Sequence, residues 1–424
     1  MKGLKKIVRI KNAYATIVFL FLFQTIHAQE KLSITLAQAD SLFVGKNFNL
    51  LAASMNIEAQ KAQIIQAKVY PNPTFSTDFN VYDPDNNKFL HVGKSGDKAF
   101  RIEQLIILGG KRKTEIEIAK TNANIAALEF QQLITQLKFQ LHSNLFSIGQ
   151  QQILLKRYNS QLSLLDTLLN AYQTQADKGN IPLKEVVRLK GAYLKLNNDR
   201  ADLLKDYYAS QAILQTLLQT KEVIDFQFSE DEIKKYIKAI PVEELISIAQ
   251  NNLADLLLAQ QNKILAQQNF EYQKKLAIPD VSFNLNYTQR GGAFYNQMNA
   301  GISIPLPLWD KNKGNIASSS YKIKEADYNF KSIQNKLFSD INNAYAMYQQ
   351  NITEYKKAAT LYNNDFEITI KGMADNFQKR NISMIEFIDF FEAYNEAQTE
   401  LARIRKELVI AGEQLNLLTG KEIY

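Results

Sequence analysis

Ile102-Glu103-Gln104-Leu105-Ile106-Ile107-Leu108-Gly109-Gly110-Lys111-Arg112-Lys113 aligns without a gap on Ile302-Ser303-Ile304-Pro305-Leu306-Pro307-Leu308-Trp309-Asp310-Lys311-Asn312-Lys313, a repeat of about 200 residues. The match runs on downstream, where Ala126, Phe130, Leu133, Leu137, Leu141 and Ile148 fall on Ala326, Phe330, Ile333, Leu337, Ile341 and Tyr348. These spacings keep the same apolar helix face in both halves. The chain therefore reads as a tandem duplication, 29–222 and 223–424, in which an alternating segment leads into a long helix.

Upstream of each quoted stretch lies another alternating segment. Phe75, Thr77, Phe79 and Val81 alternate with Ser76, Asp78, Asn80 and Tyr82, and Val281, Phe283, Leu285 and Tyr287 alternate with Ser282, Asn284, Asn286 and Thr288. The return segments place Phe100, Ile102 and Gln104 against Arg101 and Glu103, and Met298, Ala300, Ile302 and Ile304 against Asn299, Gly301 and Ser303. Period-two alternation predicts strands over 74–82, 98–106, 280–289 and 297–306, one hairpin per half with an apolar and a polar face.

Shorter helices are expected before each hairpin, over 36–45 and 49–69 in the first half and 241–250 and 254–276 in the second. The second of each pair is stopped by proline, Pro71 and Pro73 or Pro279. Long helices follow, over 113–178 and 183–219, then 315–379 and 383–419. At 1.5 Å per residue, about 64 residues reach about 95 Å, far beyond the usual three turns of a globular helix. The reversals are matched as well: Lys178-Gly179-Asn180-Ile181-Pro182 corresponds to Lys379-Arg380-Asn381-Ile382-Ser383.

The first 28 residues read as a secretory signal peptide, with a basic start (Lys2, Lys5, Lys6, Arg9, Lys11), an apolar run over 13–23 and the small Ala28 at the expected cleavage point. The apolar run is too short to span a bilayer. Most of the +7 formal charge sits there, so the high pI does not argue for nucleic acid. With no cysteine, disulfides, thiolate metal sites and a lipidated N-terminal cysteine are excluded. No later segment is apolar enough for a transmembrane helix, which leaves a β-barrel as the route into a membrane.

A half-buried soluble hairpin would also alternate. The Ser, Asn, Asp, Thr, Arg and Glu of the polar face suit a wet lumen, and the aromatic and aliphatic residues of the other face suit lipid. The lipid-facing set is expected to be Phe75, Phe79, Val81, Phe100, Ile102, Val281, Phe283, Leu285, Tyr287, Ile302 and Ile304. Four membrane strands cannot close alone, because small membrane barrels need about eight. Two copies would give about eight strands around a filled interior, and three would give about twelve around a channel, so a conduit favours three.

On these residues the sequence resembles the TolC family of outer membrane efflux factors over essentially all of the chain after the signal. Glu103–Arg112 is similar to the first strand-to-helix junction of its heavy-metal branch, the CzcC and CusC-like proteins, and Gly301–Asn315 to the second. The resemblance implies a mixed α and β membrane protein: a homotrimer with a twelve-stranded outer-membrane barrel, continued by a periplasmic α-helical barrel. It also implies a belt of shorter segments near Leu36 to Gly45, Phe226 to Gln250 and the C-terminal end. The implied partners are a periplasmic adaptor and an inner-membrane pump of the resistance-nodulation-division (RND) type, with this chain a passive duct needing no cofactor.

By the same resemblance the turns Gly179, Asn180, Ile181, Pro182 and Arg380, Asn381, Ile382, Ser383 would be adaptor-docking tips. Related channels close near this end with acidic residues, and Asp375, flanked by the basic Lys371, is the gate candidate here. The bland alternatives are ordinary helix-turn chemistry and a solvated helix end. Metal binding is not expected, since His27, His91 and His142 have no ligand spacing. Ser, His and Asp do not gather in a catalytic motif, and Gly109-Gly110-Lys111 lacks phosphate-loop spacing, so it reads as a turn from strand into helix. Trp309 suits an interfacial anchor at the periplasmic rim or core packing. The competing readings are a drug-efflux or type I secretion duct of the same fold and, from another class, a secreted coiled-coil scaffold or adhesin.

Overall fold

The computed structural model describes residues 31–238, 240–291, 294–362 and 365–424, and the expected signal peptide lies outside them. In the first half, β1 (Lys31–Ile34), α1 (Leu36–Lys46) and α2 (Phe48–Ala67) precede β2 (Thr74–Phe79), the short β3 (Tyr82–Asp83) and β4 (Lys88–Phe89), and β5 (Lys98–Ile106). Two long helices follow, α3 (Lys111–Asp177) and α4 (Leu183–Leu218). The second half has β6 (Val223–Phe226), α5 (Glu230–Lys234), α6 (Val242–Asn252), α7 (Ala254–Leu276), β7 (Val281–Arg290) and β8 (Phe294–Ser303). It ends in α8 (Lys313–Leu361), α9 (Asp365–Gln378) and α10 (Met384–Thr419). Among the described residues no helix is long and apolar enough to cross a membrane.

The chain divides into two compact units. One holds the described residues up to Asn47 with Gln140–Lys238 and Gln350–Ile410; the other holds Phe48–Phe139, Ala239–Gln349 and Ala411–Tyr424. Each unit draws on both sequence halves, because helices of this length leave one unit and enter the other.

In the first, the turn unit, leucines and aromatics recurring at helical spacing on α3, α4, α9 and α10 pack into one core. Leu165, Leu189, Phe377, Phe387 and Phe391 are buried at its centre. Phe377 stacks on Phe387 at 4.4 Å and on Tyr172 at 5.1 Å. Farther along α3, Phe146 meets Phe226 and Phe228, and a Cβ at Gly149 would fall 2.5 Å from the Phe228 ring. That ring explains why a glycine sits inside a long helix, where it costs roughly 0.5–1 kcal/mol relative to alanine. β1 and β6 pair in parallel, Leu32 opposite Ile224 and Ile34 opposite Phe226. The Gln211 side chain extends this pair: its Oε1 accepts from Ile224 N at 3.0 Å and its Nε2 donates to Ile224 O at 2.7 Å.

In the second, the sheet unit, β2, β5, β7 and β8 form one antiparallel sheet in that order, leaving an outer edge of β2 and of β8 unpaired among the described residues. β8 ends at Ser303 rather than near residue 306, because Pro305 and Pro307 offer no N–H to a ladder. β2 stops at Phe79, so Val81 lies beyond it, and Ile304 lies beyond β8. The single helix expected over 315–379 is described as α8 and α9, with residues 363 and 364 outside the described residues.

Candidate functional site: the sheet face, the junctions and the helix turns

The sheet register sorts the strand residues cleanly. Phe75, Ile102, Leu285 and Ala300 lie in one row across the four strands, and Thr77, Phe100, Tyr287 and Met298 in the next. Gln104, Phe283 and Ile302 share that face. Phe75, Ile102, Phe283, Leu285 and Ile302 are exposed, whereas Phe100, Val281 and Tyr287 are half-buried. The Phe100 ring lies 6.3 Å from Phe75, 5.9 Å from Phe79 and 6.0 Å from Tyr287, an aromatic row along the face. On the opposite face Ser76, Arg101, Asn286 and Asn299 form a row, and Arg101 Nε donates to Asn286 Oδ1 at 2.6 Å.

At the first strand-to-helix junction Gly109 and Gly110 take left-handed φ values of +70° and +72°, which a side chain would resist. Asp280 closes the turn, its Oδ1 accepting Leu108 N at 2.9 Å and Lys111 Nζ at 2.7 Å. At the second junction Asn312 does the work, with φ +58°, its Nδ2 donating to Gln273 O at 2.7 Å. Trp309 is 93% exposed beside exposed Leu306 and Leu308, which sets core packing aside within the chain.

The two helix turns are built alike. Gly179 and Arg380 both adopt the left-handed conformation, φ +75° and +61°. Asn180 N donates to Gln175 O and Asn381 N to Asn376 O, each at 2.9 Å, and both asparagine side chains bond the side chain of that same residue. Pro182 caps α4, while Ser383 and Glu386 form a reciprocal capping box on α10, Glu386 N to Ser383 Oγ at 3.2 Å and Ser383 N to Glu386 Oε2 at 2.8 Å. The hydrogen bonds hold the Glu386 carboxyl below its usual range. Gly179, Asn180, Pro182, Arg380, Asn381 and Ser383 are exposed, Ile181 and Ile382 are half-buried, and the apolar Leu183, Val187 and Ile385 beside them are exposed.

Asp375 lines an open cavity of about 710 Å³ together with Lys156, Arg157 and Lys371. That basic company was invisible in the sequence beyond Lys371, because α3 supplies the other two from more than 200 residues away. A second groove of the turn unit is acidic, carrying Asp199, Asp202 and Asp206 of α4 and Glu392, Glu396 and Glu400 of α10.

One Asp, His and Ser array lies in the loop between β2 and β5: Asp83 Oδ2 lies 2.6 Å from His91 Nδ1, and His91 Nε2 lies 3.1 Å from Ser95 Oγ. The residues fall within one loop rather than in a catalytic sequence pattern, and the array is engaged in shaping that loop. Asp83 also accepts from Asp85 N, Asn86 N and Asn86 Nδ2, and Gln289 Nε2 clamps the same loop through Gly93 O and Lys94 O. The His91 hydrogen bond, followed by those from Asn86, lowers the Asp83 pKa to about 2.

Residues 41–229 match the family described as outer membrane efflux protein. The cobalt-zinc-cadmium resistance protein CzcC of Cupriavidus metallidurans is 25% identical over 305 residues, covering 69% of this chain and 67% of that protein. Among solved structures, CusC is similar with a TM-score of 0.73 at 14% identity, over 91% of this chain and 92% of that one. The CmeC outer membrane channel of Campylobacter jejuni gives 0.72 at 12% identity, over 92% and 87%.

Proposed function

We propose that this chain, a TolC-type outer membrane efflux protein, is the outer-membrane channel of a tripartite efflux system and works as a homotrimer. The observation that carries this is the sheet: an exposed apolar face, an opposite polar face and two edges unpaired among the described residues. Open edges are not tolerated in hydrocarbon, so the strands must be pooled between copies. Three copies make a twelve-stranded barrel with the Arg101 and Asn286 face lining a wet lumen. The long helices would continue it as a periplasmic conduit.

The channel spends no energy itself, so a periplasmic adaptor and an inner-membrane RND pump are its partners in this reading. The adaptor would meet the twin turns at Gly179–Pro182 and Arg380–Ser383, where exposed Leu183 and Ile385 offer apolar contacts. The cargo class follows the relative named for cobalt, zinc and cadmium resistance: heavy-metal cations.

The test is direct. Purified in detergent, the chain should migrate as a heat-modifiable trimer and open stepwise conductances in planar bilayers, and cells lacking it should accumulate cobalt, zinc or cadmium. A monomer that stays soluble without detergent and conducts nothing would sink the channel reading.

A further inference from the structure

The two strand-to-helix junctions are copies in sequence and opposites in use. At the first, Lys111 is held by Asp280 at 2.7 Å, the Arg112 guanidinium carbon lies 3.7 Å from the centre of the Tyr70 ring, and a Cβ at Gly109 would fall 2.8 Å from the Ile278 side chain. Each of those positions is committed to the chain itself. At the second, the aligned positions hold Lys311, Asn312 and Trp309. Of these, Asn312 is tied down, its Nδ2 donating to Gln273 O at 2.7 Å. Trp309 is 93% exposed, and Lys311 and Lys313 are exposed with no ion pair among the described residues.

An indole left in water beside exposed Leu306 and Leu308 is an apolar surface that calls for a partner. The segment is nonetheless fixed at both ends, by the Leu308 N–H donating to Leu306 O at 2.9 Å and by Asn312 on α7. Its place in the fold indicates what covers it. β5 ends at Ile106 opposite Val281, and Ser303 of β8 pairs with Ser282, so the segment leaves the sheet at the end that carries exposed Ile106 and Ile278. It follows directly on Ile302, the last residue of the apolar face in β8. Lys311 and Lys313 face one acidic neighbour, Asp310, whose Oδ1 accepts the Asn312 N–H at 2.8 Å, and the segment is left net positive. A tryptophan with aliphatic neighbours suits the boundary between acyl chains and headgroups, and adjacent lysines suit anionic headgroups. We propose that this junction is a docking surface for anionic phospholipid, with Trp309 at the headgroup boundary, Leu306 and Leu308 against acyl chains, and Lys311 and Lys313 on the phosphates. The inference rests on the outer-membrane reading and adds to it a lipid preference and a depth for the sheet.

Trp309 is the only tryptophan in the sequence, so its fluorescence reports this site alone. The full chain would be reconstituted in mixed vesicles of phosphatidylcholine and phosphatidylglycerol, with one or the other lipid brominated on its acyl chains. Emission should lie to the blue of a water-exposed tryptophan, and the quenching should show phosphatidylglycerol preferred over phosphatidylcholine by about threefold or more. High salt should shrink that preference. Combining Lys311→Gln with Lys313→Gln should abolish it while quenching by brominated lipid persists. The wild-type comparison depends on no variant folding. Four results would each overturn the proposal and leave the channel reading standing: water-like emission, a shifted emission that neither brominated lipid quenches (the mark of burial against a second copy), equal quenching by the two lipids, or an undiminished preference in the double variant. A chain that does not float with the vesicles would end both readings.

Discussion

Asp280 Oδ1 holds two donors at once, the Leu108 N–H at 2.9 Å and the Lys111 ammonium at 2.7 Å, and so ties the start of β7 to the first turn of α3. The Lys111 side chain is 6% exposed and that of Asp280 26%. Removing one partner of a largely buried pair strands the other. Asp280→Ala should therefore lower stability by about 2 kcal/mol, read as a drop in the thermal midpoint. Asp280→Asn, which keeps an acceptor for Leu108, should lose less.

The twin turns make opposite predictions for one kind of change. Gly179→Ala puts a Cβ on a left-handed residue and should cost about 1 kcal/mol, although no atom lies within 4 Å of it. Arg380→Gly relieves the same strain and should gain up to about 1 kcal/mol. Thermal unfolding would check both, and limited proteolysis at each turn would localise the change.

The loop array predicts a pH response. Because the folded Asp83 pKa is depressed to about 2, its contribution is fully present above the unfolded carboxylate value and fades as pH falls from about 4 through about 2. Amide protection factors of residues 83–97, taken relative to intrinsic exchange at each pH, should be high at pH 5 and fall near pH 2.5. In His91→Leu the protection should already be weakened at pH 5.

The same sign holds for Asp327, whose pKa is lowered to about 2 by hydrogen bonds from Lys263 and then Lys331. Lys263 lies on α7 and Asp327 on α8, at 2.7 Å. The distance between spin labels placed on these helices should hold down to pH 4 and lengthen toward pH 2.

The sheet register separates substitutions by face. Ile302→Arg, on the exposed apolar face, should cost roughly 2–4 kcal/mol if it sits near mid-bilayer and reduce the amount recovered in the outer-membrane fraction. Asn299→Arg, on the polar face, should leave recovery unchanged and alter ion selectivity in bilayer recordings.

Much of this was legible in the chain because the signals are local. Strict alternation marked the strand residues now in one sheet, and Gly179-Asn180 and Arg380-Asn381 announced the turns. What stayed hidden depends on partners distant in sequence. β1 has four residues and pairs with β6 almost 200 residues away, so no periodicity could reveal it. Lys156 and Arg157 carry no local signal, and it is the fold that brings them to the same cavity as Lys371 and Asp375 of α9. The Asp83, His91 and Ser95 cluster escaped because its spacing belongs to a loop fold rather than to a catalytic pattern.

The course of α3 through both units carries an evolutionary consequence. Ala119, Ala123 and Ala126 are buried in one unit, and Leu141, Leu145 and Ile148 in the other, along a single helix. Deleting one residue between these sets would rotate one against the other by about 100° and turn a packed face outward. Length changes in such a helix are tolerable only in steps that restore phase, roughly seven or eleven residues at a time. Variation among chains of this kind should therefore collect in the loop between β2 and β5 and in the short connections, while the long helices change length in whole increments of their repeat.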